Sequence, residues 1–181
     1  MFSISPSDQH PCGSPALYPR QREPIRATQS GRGIVFIKGS SEASLDDKGR
    51  LALPKRYRDQ LSLDPELVLT AGPDGCLLLY PRDVWQVVAS RLHQLSAFND
   101  QARWWQRMVI WHAEDHKLDK SDRILISQSL REQASVTKDV KLLGQGNRIE
   151  IWDLEAWRSL EKAQRTTTFT GPPPGGESFT L

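Results

Sequence analysis

The sequence predicts a mainly β protein with short helices, of the α+β class, built from two tandem copies of one small module. Three observations carry this prediction: an internal repeat, a hairpin signal at the same place in each copy, and an amphipathic stretch after each hairpin. The chain has 181 residues, which is room for one compact domain or two small ones. Because a few short strands bury little surface alone, we expect the copies to pack on each other, exchange strands, or both.

The internal repeat begins at residues 44–58, which read SLDDKGRLALPKRYR, and returns at residues 117–131, which read KLDKSDRILISQSLR. The matched positions of the first copy are Leu45, Asp46, Arg50, Leu51, Leu53 and Arg58. Their counterparts in the second copy are Leu118, Asp119, Arg123, Ile124, Ile126 and Arg131. After a slip of one residue, residues 75–80 match residues 147–152, and Trp85 matches Trp157. A run of this length in one order indicates a duplicated unit.

Each copy is predicted to run strand, turn, strand, short helix, strand, turn, strand, helix. Residues 46–49 have turn composition, and Gly49 is free to take positive φ. Pro54 ends the next strand and can open a helix. The sequence GPDG at residues 72–75 between two apolar runs predicts a hairpin. Asp83 is expected to cap the helix that follows.

A tryptophan-rich stretch joins the two copies. Trp104, Met108 and Trp111 fall on one face of a predicted helix, with Trp105 nearby. Stacking on nucleic-acid bases is conceivable, but such a helix more often forms core or a subunit interface. We therefore predict core or interface, and we expect the protein to assemble into a large oligomer.

The predicted organisation has six segments. Module 1 spans residues 40–84 and module 2 spans residues 113–156, with a helical linker at residues 85–112 between them. Residues 157–165 end the last helix. Residues 1–34 and 166–181 have the polar, Pro- and Ser- or Gly-rich composition of disordered chain.

Bulk composition limits the function classes. The longest apolar runs, such as residues 76–80, hold about five residues, whereas a membrane span needs about 20. The N-terminal stretch lacks the apolar region of a signal peptide, and two isolated cysteines, Cys12 and Cys76, indicate no disulfide framework. A cytoplasmic protein is therefore expected. The net charge of +2 leaves the partner open.

Catalytic and metal chemistry are not predicted. The chain has no nucleophile elbow, phosphate loop or dinucleotide fingerprint. His112 and His116 stand four residues apart, but position 113 is Ala, so the zinc-protease pattern is absent. The histidines are interpreted as incidental. We expect no enzyme activity, no cofactor, no metal and no small-molecule substrate.

The motifs resemble the MraZ family, whose two modules are of the SpoVT-AbrB swapped-hairpin type. The resemblance rests on LDDKGRLALP at residues 45–54, CLLLYP at residues 76–81, the second Asp-x-x-x-Arg unit, and LGQGN at residues 143–147. It covers about residues 36–164. The resemblance implies two tandem modules forming a pseudo-symmetric small barrel. It also implies a ring-shaped, nucleoid-associated oligomer that binds short direct repeats in the promoter of the division and cell-wall gene cluster, including its own gene.

The resemblance also suggests where the chain begins. Family members start a few residues before the first strand with Met-Phe, and Val35-Phe36 occupies that place here. Valine codons include GUG, which bacteria read as a methionine start. We expect residues 1–34 to be either translated leader or a disordered basic arm, and we favour a start at position 35.

The basic residues of the repeat are the candidate double-stranded DNA contacts. They are Lys48, Arg50, Lys55, Arg56, Arg58 and Arg123. Arginine reads guanine or grips phosphate through its planar fork, while composition alone favours a solvated basic face. With the resemblance, DNA contact is favoured for Arg50. For Arg123, DNA contact and a solvated basic face are about equally supported. Asp46, Gly49 and Asp119 are interpreted as turn-forming or arginine-orienting, because phosphate repels carboxylate.

Two residues of the second copy depart from the family pattern. Asp122 stands where Gly is usual, and Ser127 where Pro is usual. Aspartate tolerates left-handed backbone, so the turn is expected to survive, but its carboxylate lowers the positive potential beside Arg123. Two other functions stay open: an AbrB-like antitoxin whose partner is a protein toxin, and a structural or interaction protein.

Overall fold

The computed structural model describes residues 36–61 and 65–167. The expected start at position 35, the leader and nearly all of the predicted disordered tail lie outside these residues. The strands are β1 (Ile37–Ser44), β2 (Arg50–Ala52), β3 (Glu66–Ala71), β4 (Leu77–Pro81), β5 (Glu114–Lys117), β6 (Arg123–Leu125), β7 (Asp139–Gly146) and β8 (Ile149–Asp153). The helices are α1 (Lys55–Arg58), α2 (Arg82–His93), α3 (Asp100–Trp111), α4 (Gln128–Gln133) and α5 (Leu154–Thr166).

The strands of the described residues form two antiparallel sheets. One has six strands in the order β1-β7-β8-β4-β3-β5, and the other pairs β2 with β6. Strand β1 of the first copy lies beside β7 of the second, and β5 of the second lies beside β3 of the first. The copies therefore exchange strands, which confirms the swapped arrangement and the α+β class.

The register of the strands shows that the copies are related by a pseudo-two-fold axis. Ser44 faces Asp139 across β1 and β7, and its counterpart Lys117 faces Glu66 across β5 and β3. Leu51 faces its own counterpart Ile124 across β2 and β6. A residue facing its own counterpart lies on the axis, so the axis passes through the short sheet.

The larger core lies between the sheets and draws on both copies. It includes Leu51 and Tyr57 from the first copy and Ile124, Leu130 and Leu142 from the second, all essentially without solvent exposure. The exchange thus gives two small modules one shared core.

A second apolar cluster packs on the outer face of the large sheet, under α2 and α5. Trp85 on α2 contacts Tyr80 with ring centroids 5.8 Å apart, and Trp157 on α5 contacts Trp152 at 5.6 Å. The matching tryptophans of the repeat therefore pack against the equivalent aromatic residue in both copies.

Two expectations about helices need correction. Asp83 lies in the first turn of α2 rather than at the cap, which is Pro81 and has no side-chain cap bond. Trp104 and Trp111 are not buried in the core of a single chain, because their exposed fractions are 58% and 78%. Of the two predicted alternatives, core or subunit interface, the core is therefore wrong for these two residues. Met108 packs on the large core and Val109 is buried, so α3 turns its aliphatic side inward.

None of the helices in the described ranges is long and apolar enough to cross a membrane.

Candidate functional site

Both Asp-x-x-x-Arg units fold into the same hydrogen-bonded turn. In the first copy, Asp46 Oδ1 accepts from the amides of Lys48 and Arg50, each at 2.9 Å. In the second copy, Asp119 Oδ1 accepts from the amides of Ser121 at 2.8 Å and Arg123 at 3.0 Å. A short carboxylate side chain that binds the backbone two residues on is what closes such turns.

Each turn contains one residue in the left-handed region. Gly49 has φ of 77° and Asp122 has φ of 59°. Glycine adopts this conformation freely, and aspartate adopts it more readily than most residues. The second turn therefore keeps its backbone in spite of Asp122.

The two arginines that follow the turns lie on the outer face of the short sheet. Leu51 and Ile124 point into the core, so the alternation of a strand directs Arg50 and Arg123 outward. Their side chains are 31% and 29% exposed. Because β2 pairs with β6, the turns of both copies contribute to one surface.

Asp46 holds both arginines. Arg50 Nε lies 2.7 Å from Asp46 Oδ2, and Arg123 Nη1 lies 3.6 Å from the same oxygen. Arg123 is also bound by its own aspartate, with Nη2 2.9 Å from Asp119 Oδ2. The second arginine is thus held by two carboxylates and the first by one. We name Asp46, Arg50, Asp119 and Arg123 the arginine–aspartate cluster.

Both aspartates of this cluster are stabilised in the ionised state. Hydrogen bonds from the Arg50 amide and side chain lower the pKa of Asp46 below its ordinary value. The side chain of Arg123, together with its amide, does the same for the pKa of Asp119. The carboxylates therefore stay charged at neutral pH and keep the guanidinium groups in a fixed orientation.

The other predicted basic residues lie in different surroundings. Lys48 is exposed on the first turn, and Lys55 is exposed on α1. Arg56 lies against Gly39 and donates to the carbonyl of Ser40 on β1. Arg58 donates from Nε to the carbonyl of Leu53 at 3.0 Å and from Nη1 to the carboxylate of Asp122. The carboxylate of Asp122 therefore binds Arg58 of the first copy.

The two histidines contact different groups. His112 Nδ1 is 2.9 Å from the carbonyl oxygen of Met108, and His116 Nε2 is 3.5 Å from a carboxylate oxygen of Glu114. Within residues 36–61 and 65–167, no group of three His, Cys, Asp or Glu side chains is placed to hold a metal ion.

Sequence reasoning missed the contacts that cross between copies. The sharing of Asp46 by both arginines and the Arg58–Asp122 pair each join residues far apart in sequence. The pairing of β2 with β6 brings them together. The sequence shows that positions 49 and 122 correspond in the repeat and differ in charge, but it does not identify the partner of Asp122.

The fold and the cluster define a class of protein: a tandem-repeat α+β chain whose two copies exchange strands and present paired Asp-x-x-x-Arg turns on one surface. The model of the family described as MraZ protein, antitoxin-like, matches twice, at residues 36–108 and 109–172. The chain belongs to the MraZ family.

Several curated relatives are similar over most of their length. The transcriptional regulator MraZ of Nitrosomonas europaea is 44% identical over 149 residues, which is 81% of this chain and 100% of the relative. That of Nitrosospira multiformis is 43% identical over 148 residues, again 81% of this chain and all of the relative. The names support the class of transcriptional regulator, which is not an enzyme class.

Proposed function

We propose that this protein is a sequence-specific DNA-binding regulator that binds direct repeats in the promoter of the division and cell-wall gene cluster, including its own gene. The observation that carries the proposal is the outward arginine pair on the short sheet. Arg50 uses only its Nε–H in the contact with Asp46, and a guanidinium has five N–H donors. The Nη groups of Arg50 are then available to a base edge or a phosphate.

The surface suits a β-built reader of the DNA groove. Two short strands with exposed side chains on one face can enter a major groove, as β-ribbon readers do. Asp46 and Asp119 cancel much of the arginine charge, so we assign them the role of fixing the arginines and not of contacting DNA. Lys48 on the adjacent turn and Lys55 and Arg56 on α1 would add contacts to phosphates. The protein would act in the cytoplasm, associated with the nucleoid.

The test is a binding titration with a duplex from the region upstream of its own gene. A scrambled duplex of equal length serves as competitor, and the titration is repeated at several salt concentrations, because phosphate contacts make affinity fall with salt. The expected result is preference for the upstream duplex at each concentration. Equal affinity for both duplexes would contradict sequence-specific regulation.

We also propose that the protein assembles into a ring through the exposed aromatic side of α3. Trp104 and Trp111 lie on that side, and Phe98 just before the helix is 98% exposed. Apolar patches of this kind mark interaction sites. Several modules engaging successive repeats would multiply a modest affinity per module. Light scattering at micromolar concentration should give a multiple of the chain mass, and a stable monomer would overturn the ring.

An antitoxin role is the second candidate, because the family description includes the term antitoxin-like. An antitoxin would bind a protein toxin as its main partner. Purification of the native protein separates the two functions: a small partner protein in fixed ratio would favour the antitoxin, and recovery of the chain alone with bound DNA would favour the regulator.

A further inference from the structure

Two equivalent arginines, Arg58 and Arg131, have unequal surroundings. Each lies on the short helix of its copy and reaches to the turn of the other copy, Arg58 to Asp122 and Arg131 to Gly49. Positions 49 and 122 are counterparts in the repeat. Arg58 therefore faces an aspartate at the position where Arg131 faces a glycine.

Arg58 is neutralised where it lies. Its Nη1 donates to the Asp122 carboxylate, and its Nε donates to the carbonyl of Leu53 at 3.0 Å. The Asp122 side chain is about half exposed, at 48%, and that of Arg58 is 33% exposed. An anion approaching from solvent meets a guanidinium whose charge is already balanced.

The Arg131 guanidinium lies against the backbone of Gly49, which has no side chain. A Cβ at Gly49 would be 3.1 Å from Cζ of Arg131, so the absence of a side chain there makes room for the guanidinium. Its Nε has no hydrogen-bond partner in the described part of the chain, although it is shielded from solvent. The neighbouring carboxylate, Glu132, accepts instead from Gln128 at 2.7 Å.

The position of Arg131 connects it to the proposed DNA surface. Gly49 stands between the exposed Lys48 and the outward Arg50. The backbone carbonyl of Gly49 also accepts from the amide of Ile126 at 2.9 Å, which ties this turn to the second copy. Arg131 thus lies beside the turn that carries Lys48 and Arg50. Its counterpart Arg58 differs in donating to the Asp122 carboxylate.

We propose that Asp122 masks Arg58 and that its counterpart Arg131 is an unmasked phosphate contact. This inference rests on the proposed DNA-binding function. Its chemistry is that of a guanidinium facing a phosphate oxyanion: an internal carboxylate competes with the phosphate for the same N–H donors. Removal of the carboxylate should create a second unmasked arginine.

The central variant is Asp122→Asn, which removes the charge and keeps a residue that tolerates left-handed backbone. Anisotropy titrations of the full chain with the labelled upstream duplex, at about 0.1 M salt, should show about threefold or greater tightening, with a steeper dependence on salt. In an Arg58→Ala background the same change should have no effect. Asp47→Asn, on the exposed part of the first turn, changes the net charge equally and should act independently of Arg58.

Three outcomes would overturn the masking. They are unchanged affinity in Asp122→Asn, a gain that persists without Arg58, and a gain matched by Asp47→Asn. For the other arginine, Arg131→Ala should weaken binding more than Arg58→Ala in the natural background, and an equal or smaller loss contradicts its role. Thermal unfolding of each variant checks that it folds.

A second probe separates the failure of this inference from the failure of the proposed function. Heparin, a polyanion without base sequence, reports on unmasked arginines whether or not the chain selects a promoter. Asp122→Asn should elute from heparin at higher salt than the natural protein, and only when Arg58 is present. If the natural protein shows no preference for the upstream duplex, the regulator proposal fails, and the heparin shift still decides whether Asp122 masks Arg58.

Discussion

The two copies have the same backbone plan and differ in how their side chains are used. Both close an aspartate turn, both place an arginine on the outer face of the short sheet, and both pack a tryptophan against the aromatic residue of the preceding strand. The first copy has Lys55 and Arg56 on its short helix, where the second has Gln128 and Ser129. The duplicated core requires similar packing in both copies, while surface charge is free to diverge.

The second copy has better helix caps. Asp153 accepts from the amides of Glu155 and Ala156 at the start of α5, and Ser127 accepts from the amide of Leu130 at the start of α4. The corresponding residues of the first copy are prolines, Pro81 and Pro54, which offer no side-chain cap. The first copy thus has the basic residues on its short helix, and the second copy has the side-chain caps at the starts of α4 and α5.

The largest expected effect is on DNA binding. Arg50→Ala should abolish specific binding while stability changes by less than about 0.5 kcal/mol, as for an ordinary surface substitution. Each lost base contact is worth about 1–3 kcal/mol, and a ring repeats the loss in every engaged subunit. Arg123→Ala should cost less, because Arg123 is bound by two carboxylates. Titration with the upstream duplex measures both, and a greater loss in Arg123→Ala would reverse this ranking.

The next effect concerns a core position where the copies differ. Tyr57 is fully buried, and its hydroxyl lies 3.0 Å from the carbonyl oxygens of both Gly39 and Leu142. Tyr57→Leu places the counterpart residue of the second copy there. It leaves a cavity and removes these contacts, for an expected loss of about 2 kcal/mol in the free energy of unfolding.

Tyr57→Phe is the control for the hydroxyl and should cost about 1 kcal/mol. Denaturant unfolding at one fixed protein concentration gives both values, since stability depends on concentration in an oligomer. A loss below about 0.5 kcal/mol in Tyr57→Leu would mean that the first copy accepts the core residue of the second.

A smaller effect is expected at the cap of α5. Burial by itself raises the pKa of Asp153, but hydrogen bonds from the amides of Ala156, Glu155 and Thr137 and from the Thr137 hydroxyl outweigh it and lower the pKa below the ordinary value. Asp153→Ala should cost about 1–2 kcal/mol at neutral pH. Asp83→Ala is the control, because Asp83 is not the cap of α2.

The pH dependence of this contribution has a definite sign. A carboxyl group whose pKa is lowered by folding stabilises the protein above its unfolded pKa, which is about 3.9 for aspartate. That stabilisation is lost as the pH falls through the lower, folded value. The difference in unfolding free energy between the natural protein and Asp153→Ala should therefore shrink below about pH 4. A difference that stays constant in acid would exclude the charged cap as its cause.

The sequence predicted what is local or repeated, and it missed what depends on register between the copies. The turns at Asp46 and Asp119 followed from composition, and the matching of Trp85 with Trp157 followed from the repeat. The Arg58–Asp122 contact could not be predicted, because it joins residues 64 positions apart. Exposure of Trp111 could not be predicted either, since helical spacing shows which residues share a face and not whether the face is covered. The module boundaries and the DNA contacts remain predictions.

The smallest effect is expected at Ser127, where the second copy departs from the proline of the first. Ser127 has φ of −58° and ψ of 156°, close to the −56° and 142° of Pro54, so a proline ring fits the backbone. In the described part of the chain the Ser127 amide donates no hydrogen bond. Ser127→Pro removes a long cap contact of 3.4 Å and the hydroxyl bond of 2.7 Å to Glu114.

Against these losses, proline restricts the unfolded chain and contributes about 0.4–1 kcal/mol. The net change in unfolding free energy should therefore lie within about 0.5 kcal/mol. Ser127→Ala removes the same hydroxyl without that restriction, and it should be less stable than Ser127→Pro in the same denaturant titration. If Ser127→Pro were the less stable variant, the proline ring would have to conflict with its surroundings in the second copy, although the backbone angles of Ser127 resemble those of Pro54.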